Sequence, residues 1–156
     1  MTEKKKVITI PEWHQMALED KAPPMRIPIH GNSMFPLIRM DRDYVTIQPL
    51  KGMPEIGDIV LFDDSTRDRY VLHRVWKIRD GKILTWGDNC YNTDGWRTPD
   101  AMWGKAVLIE RGRIRIRPHP KRGLILAKIW HPAGKIYWRG RAFAAGVYHK
   151  IKRPWR

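Results

Sequence analysis

From Met25 to about Arg117 the chain is cut into short segments, and this punctuation limits the folds open to it more than any other feature. Met25 to His30 and Tyr44 to Gln48 alternate apolar and polar residues with the period of a strand. Ile59 to Phe62 is a short apolar run that stops at the polar turn Asp63-Asp64-Ser65-Thr66, and Tyr70 to Ile78 is rich in β-branched and aromatic residues. Asp80-Gly81 then leads into Lys82 to Trp86, because Asp-Gly readily adopts the left-handed conformations of a tight hairpin. Arg111-Gly112 is a second hairpin candidate, between Ala106 to Ile109 and Ile114 to Ile116. The pattern predicts a mainly β domain over residues 25–117.

The flanks differ. Residues 1–24 read as a solvated basic arm followed by a short helix over 11–21, which begins at Pro11 and is stopped by Pro23-Pro24. Residues 118–156 read as a basic tail. After Glu110 there are fourteen Lys and Arg residues and no acid, although the whole chain carries a net charge of only +14. The first 110 residues are therefore neutral, and the basic character belongs to the tail. From Ile136 the apolar positions Ile136, Gly140, Phe143, Val147 and Ile151 recur every three or four residues, a basic amphipathic helix signature.

The 42% apolar content and eight tryptophans fit a packed domain. No stretch has the roughly 18 to 20 uninterrupted apolar residues of a membrane span. The single cysteine, Cys90, rules out an internal disulfide and fits a reducing compartment. These features lead to the expectation of a cytoplasmic protein, peripheral at the membrane if the tail docks there.

Four segments carry the chemistry: Gly31-Asn32-Ser33-Met34-Phe35-Pro36, Gly57-Asp58-Ile59-Val60, Leu72-His73-Arg74-Val75, and Trp86-Gly87-Asp88-Asn89 with Asp94 following. In this order and spacing they resemble the boxes of the signal peptidase I and SOS-repressor superfamily of serine proteases. The similarity is greatest to the branch that uses histidine in place of lysine as base, and it covers residues 26 to 110. It implies a coiled β domain, here with a short N-terminal helix and a basic helical tail. It also implies Ser33 as nucleophile, His73 as general base and Asp94 and Asp88 as acidic members, with Asp94 favoured for orienting His73. Asn32, Met34 and Pro36 are expected to line the oxyanion and substrate site. The resemblance calls for no metal and no cofactor.

The residue types suit this reading on their own chemistry. A serine hydroxyl attacks well only when a base takes its proton, and histidine does this near neutral pH. A carboxylate fixes the imidazole tautomer and stabilises the imidazolium. The turn around Ser33 aims its backbone N–H at a developing oxyanion. The arrangement predicts Ser33 Oγ about 2.6 to 3.2 Å from a His73 ring nitrogen, or somewhat further without substrate.

Each residue also has a plainer role open to it. Ser33 suits an ordinary turn, His73 a strand interior, and Gly87-Asp88-Asn89 a hairpin. His14, His30, His119, His131 and His149 match no box. Cys90 stands where the family has a second asparagine, Thr93 and Gly95 flank Asp94 where a second aspartate is usual, and no counterpart of the family's membrane anchor is expected here. Cys90 is not expected to be the nucleophile.

Two functions follow. The first is an endopeptidase that cleaves a signal- or leader-like peptide segment through an acyl-enzyme. The second is a catalytically silent binding module that docks through its tail, with an autoproteolytic repressor as a weaker third. For residues 121–156 the expected partner is an anionic membrane surface, with nucleic acid the less favoured alternative and plain packing on the domain the bland one.

Overall fold

The computed structural model describes residues 8–132. Helix α1 (Ile10–Leu18) opens with a reciprocal cap: Thr9 N–H donates to Glu12 Oε2 at 2.8 Å, and Glu12 N–H donates to Thr9 Oγ1. Its Trp13 is fully buried and donates its indole N–H to the Pro23 carbonyl at 2.7 Å. The N-terminal helix is therefore part of the core, and the boundary read at residue 24 separates elements that share one interior.

The rest is an antiparallel sheet of eight strands: β1 (Met25–Pro28), β2 (Asp43–Pro49), β3 (Ile59–Asp64), β4 (Arg69–Arg79), β5 (Lys82–Trp86), β6 (Trp96–Arg97), β7 (Met102–Arg111) and β8 (Ile114–Ile116). The strand order is β1-β2-β7-β3-β4-β5-β6, with β8 paired to β7. The mainly β expectation holds. At the hairpin after β4, Asp80 and Gly81 both take positive φ, 50° and 69°, as a two-residue turn of this kind requires. The second hairpin turns one residue later than expected, with Arg111 still paired to Ile114.

The sheet buries both faces. In β3, Ile59 and Leu61 join one core with Trp13, Met34, Ile38, Val45 and Ile47. Val60 and Phe62 join a second with Val71, Val75 and Ile83. Alternation thus sends successive residues of one strand into different interiors. The same alternation in β4 places His73, opposite Val60, on the second face and Arg74, opposite Ile59, on the first.

Residues 120–132 form the described part of a second helix, α2. Pro120 begins it against Gly57, whose φ is +101°; a Cβ there would overlap the Pro120 carbonyl. Gly123 lies against Arg74, where a Cβ would come within 2.6 Å of Nη1. Further along, Trp130 meets Phe35 edge-on at 5.5 Å, and His131 lies 3.8 Å from the Trp86 ring centroid. The opposite side of α2 leaves Ile125, Leu126 and Ile129 exposed beside Lys121, Arg122 and Lys128. The amphipathic pattern from Ile136 onward lies outside the described residues. No helix among the described residues is long and apolar enough to cross a membrane.

Candidate active site

The site forms where three segments meet: the turn after β1, the middle of β4, and the loop from β5 to β6. His73 is buried at 3% exposure, with the Phe62 ring edge-on at 6.2 Å. Its Nδ1–H donates to Asp94 Oδ2 at 2.7 Å. Asp94 is held in turn by Thr85, whose hydroxyl donates to the same oxygen at 2.9 Å, and by its own N–H, which donates to the Thr85 carbonyl at 3.0 Å. With Nδ1 committed to the carboxylate, Nε2 is the nitrogen free to exchange a proton with a substrate or nucleophile.

Burial alone would push the His73 pKa down. The hydrogen bonds with Asp94 and then Cys90, with the Asp94 charge behind them, overcome this and raise it from 6.5 to about 9. The resting imidazole is thus a cation through the neutral range, and catalysis as a base requires it to lose that proton.

Asp88 has a different partner. Arg74 donates to it twice, Nε to Oδ1 at 2.8 Å and Nη2 to Oδ2 at 2.6 Å, and Arg74 Nη1 donates to the Gly57 carbonyl at 2.9 Å. Both side chains are almost fully buried. Of the two sequence-derived acids, the structure therefore brings Asp94 to His73 and gives Asp88 to Arg74. Asp58 also has a turn-shaping task, accepting from Glu55 N–H at 2.9 Å.

Ser33 lies half-buried in the turn that follows β1. Its carbonyl accepts the Asn89 N–H at 2.7 Å, and the Asn89 side-chain amide donates to the Asn32 carbonyl at 3.1 Å. The turn bearing Ser33 and the loop bearing Asp88 and Asp94 are thus tied directly together. A Cβ built on Gly87 would lie 2.8 Å from both the Ser33 carbonyl oxygen and His73 Nε2. Those two atoms are therefore less than twice that distance apart. The glycine supplies the clearance.

The expected hydrogen bond from Ser33 Oγ to His73 is not formed. Among the described residues the hydrogen-bonding neighbour of Nε2 is Cys90 Sγ, at 3.9 Å. The Ser33 backbone is held by its bond to Asn89, and Cys90 takes the position beside the ring. Neither the hydroxyl nor the N–H of Ser33 has a hydrogen-bond partner among the described residues.

Of the other expected site residues, Asn32 is exposed, Pro36 is half-buried, and Met34 turns its side chain into the first core at 2% exposure. Met34 therefore has only its backbone to offer a substrate. Sequence reasoning gave no task to Arg74, Thr85, Asn89 or Cys90; the signal for the first, third and fourth was their position inside the boxes. No group of three or more His, Cys, Asp or Glu side chains suited to a metal occurs among the described residues. The chain matches no protein-family model and no curated protein sequence.

Proposed function

We propose that this chain is a serine endopeptidase with a signal peptidase-like coiled β fold, cleaving a signal- or leader-like peptide segment. The observation that carries the reading is the buried His73–Asp94 pair, with its outer ring nitrogen facing the turn that bears Ser33. In the reaction Ser33 Oγ attacks the scissile carbonyl while His73 Nε2 takes its proton. Asp94 stabilises the resulting imidazolium, and the Ser33 N–H donates to the oxyanion. His73 then protonates the leaving amine, and a water activated by the same nitrogen releases the acyl group. The Ser33–His73 hydrogen bond forms as substrate seats, since such bonds are often long without it.

Leader-peptide reporters incubated with wild type, Ser33→Ala and His73→Ala test this. Cleavage by wild type and a loss of at least about a thousandfold in each variant is expected. If wild type leaves every reporter intact, the binding-module alternative replaces the peptidase; that alternative draws its support from the unformed Ser33–His73 bond.

The same reading includes a partner for the tail, an anionic membrane surface met through residues 121–156. Support comes from the outer side of α2, where exposed Ile125 and Ile129 lie among Lys121, Arg122 and Lys128. Each such cation contributes about 1 kcal/mol near an anionic leaflet. Ile125→Glu with Ile129→Glu should abolish co-sedimentation with phosphatidylserine vesicles while leaving retention by DNA unchanged. Undiminished sedimentation of the double variant removes α2 from the proposal.

A further inference from the structure

The peptidase mechanism leaves one nucleophile at its centre unused. Cys90 Sγ lies 3.9 Å from His73 Nε2, on the side of the ring opposite Asp94. Asp94, His73 and Cys90 thus form a continuous line of orienter, base and thiol, the arrangement that activates a cysteine. The sulfur is held there by its backbone: the Cys90 N–H donates to the Gly87 carbonyl at 3.0 Å, and the Cys90 carbonyl accepts the Trp86 indole N–H at 3.1 Å.

Two further features make this a site. His73 is buried at 3% exposure with its Nε2 directed at the sulfur and, among the described residues, at no other hydrogen-bonding group. Cys90 itself is only half-buried, whereas the base is enclosed. Gly87 keeps the space between them clear; a Cβ there would lie 2.6 Å from Sγ and 2.8 Å from Nε2.

We propose that Cys90 is a thiol-modification site for small disulfides, and that a mixed disulfide at Cys90 blocks His73 from serving Ser33. The reactivity part stands on the Cys90–His73–Asp94 geometry alone, and the blocking part rests on the peptidase reading. In the exchange the fraction of His73 that has given up its proton takes the Sγ proton at Nε2, and the thiolate attacks one sulfur of the incoming disulfide. The reagent's S–S bond breaks as the new one forms. The departing thiolate takes a proton and leaves as a thiol. Cys90 is oxidised and one reagent sulfur is reduced, with no other reactant needed. The attached group then fills the clearance kept by Gly87, where the Ser33 carbonyl and Nε2 converge.

Oxidised glutathione is the probe, with intact-protein mass spectrometry as the readout. Wild type should gain one glutathionyl group, at Cys90, that dithiothreitol removes. His73→Ala and His73→Gln should each acquire it about tenfold more slowly, with circular dichroism identifying any variant that has not folded. Equal rates in wild type and a folded His73 variant, or no adduct at all, overturn the site. For the blocking step the measure is the ratio of reporter cleavage after glutathione treatment to that before it. The ratio should fall at least tenfold in wild type and stay at one in Cys90→Ala. An unchanged wild-type ratio on a fully modified protein overturns the block. Because adduct formation is read by mass, failure of the peptidase reading leaves the thiol result intact, and the reverse also holds.

Discussion

His73 and Arg74 are neighbours in one strand, and each holds an aspartate from the same loop. Yet one pair contains a group that can change its proton and the other is a clamp. Strand alternation sends them to opposite faces, where both are almost wholly removed from water. Arg74 meets Asp88 through two parallel bonds and fastens the loop to Gly57 with a third. A guanidinium keeps its charge at any pH a protein survives, so the cation of this pair does not switch. The imidazole of His73 has two, and Asp94 with Thr85 selects which nitrogen changes. Two buried carboxylates thus differ in task because their cations differ in whether they titrate.

Substitution should separate the pairs. The largest effect on stability is expected from Arg74→Ala, which leaves Asp88 buried without its cation; such losses cost about 3 to 5 kcal/mol. Urea unfolding measures it, and a change under 1 kcal/mol would mean that Asp88 finds water and the clamp is not structural. Asp94→Asn should do the opposite. Reporter cleavage falls by a hundredfold or more, in the range typical of a lost acid–base arrangement, while above pH 9, where His73 is neutral, the unfolding midpoint moves far less than in Arg74→Ala. Equal stability losses in the two variants would erase the distinction.

The third effect is a dependence on pH. His73 titrates near 9 in the folded chain and near 6.5 when unfolded. The native state therefore holds its proton more tightly. The stabilisation, on the order of 3 kcal/mol, is complete below about pH 6.5 and is lost as pH rises through 9. Activity should run the other way, with kcat/KM rising as Nε2 is freed. In Asp94→Asn the rise should move toward 6.5, because the group that lifts the pKa is gone. Stability and activity that climb together with pH would show that His73 is not the titrating base.

Much of this arrangement was legible in the sequence. The strands followed from alternation and from turn residues such as Asp80-Gly81, and the joining of His73 to Asp94 followed from the ordered boxes. Other features left no local trace. β6 is only two residues long, Trp96 and Arg97, and shows no period. α2 carries apolar residues on both sides, Ala127 and Trp130 inward and Ile125 and Ile129 outward, so no amphipathic stripe marked it. Arg74 reads as a surface residue in any strand pattern; only a carboxylate 14 positions away explains its burial. Cys90 stands where the family that the boxes resemble has asparagine, and its place beside Nε2 depends on how the loop closes, which spacing alone does not reveal.

Asn89 has a consequence for timing. Its side-chain bond to the Asn32 carbonyl spans 57 positions of sequence, and the partner of His73 comes later still, at Asp94. A chain emerging from the ribosome presents Ser33 long before it has anything to activate or align that hydroxyl. On the proposed peptidase reading, the unit is therefore completed only when the β5–β6 loop is made, and a nascent chain stalled before Asp94 carries Ser33 unarmed.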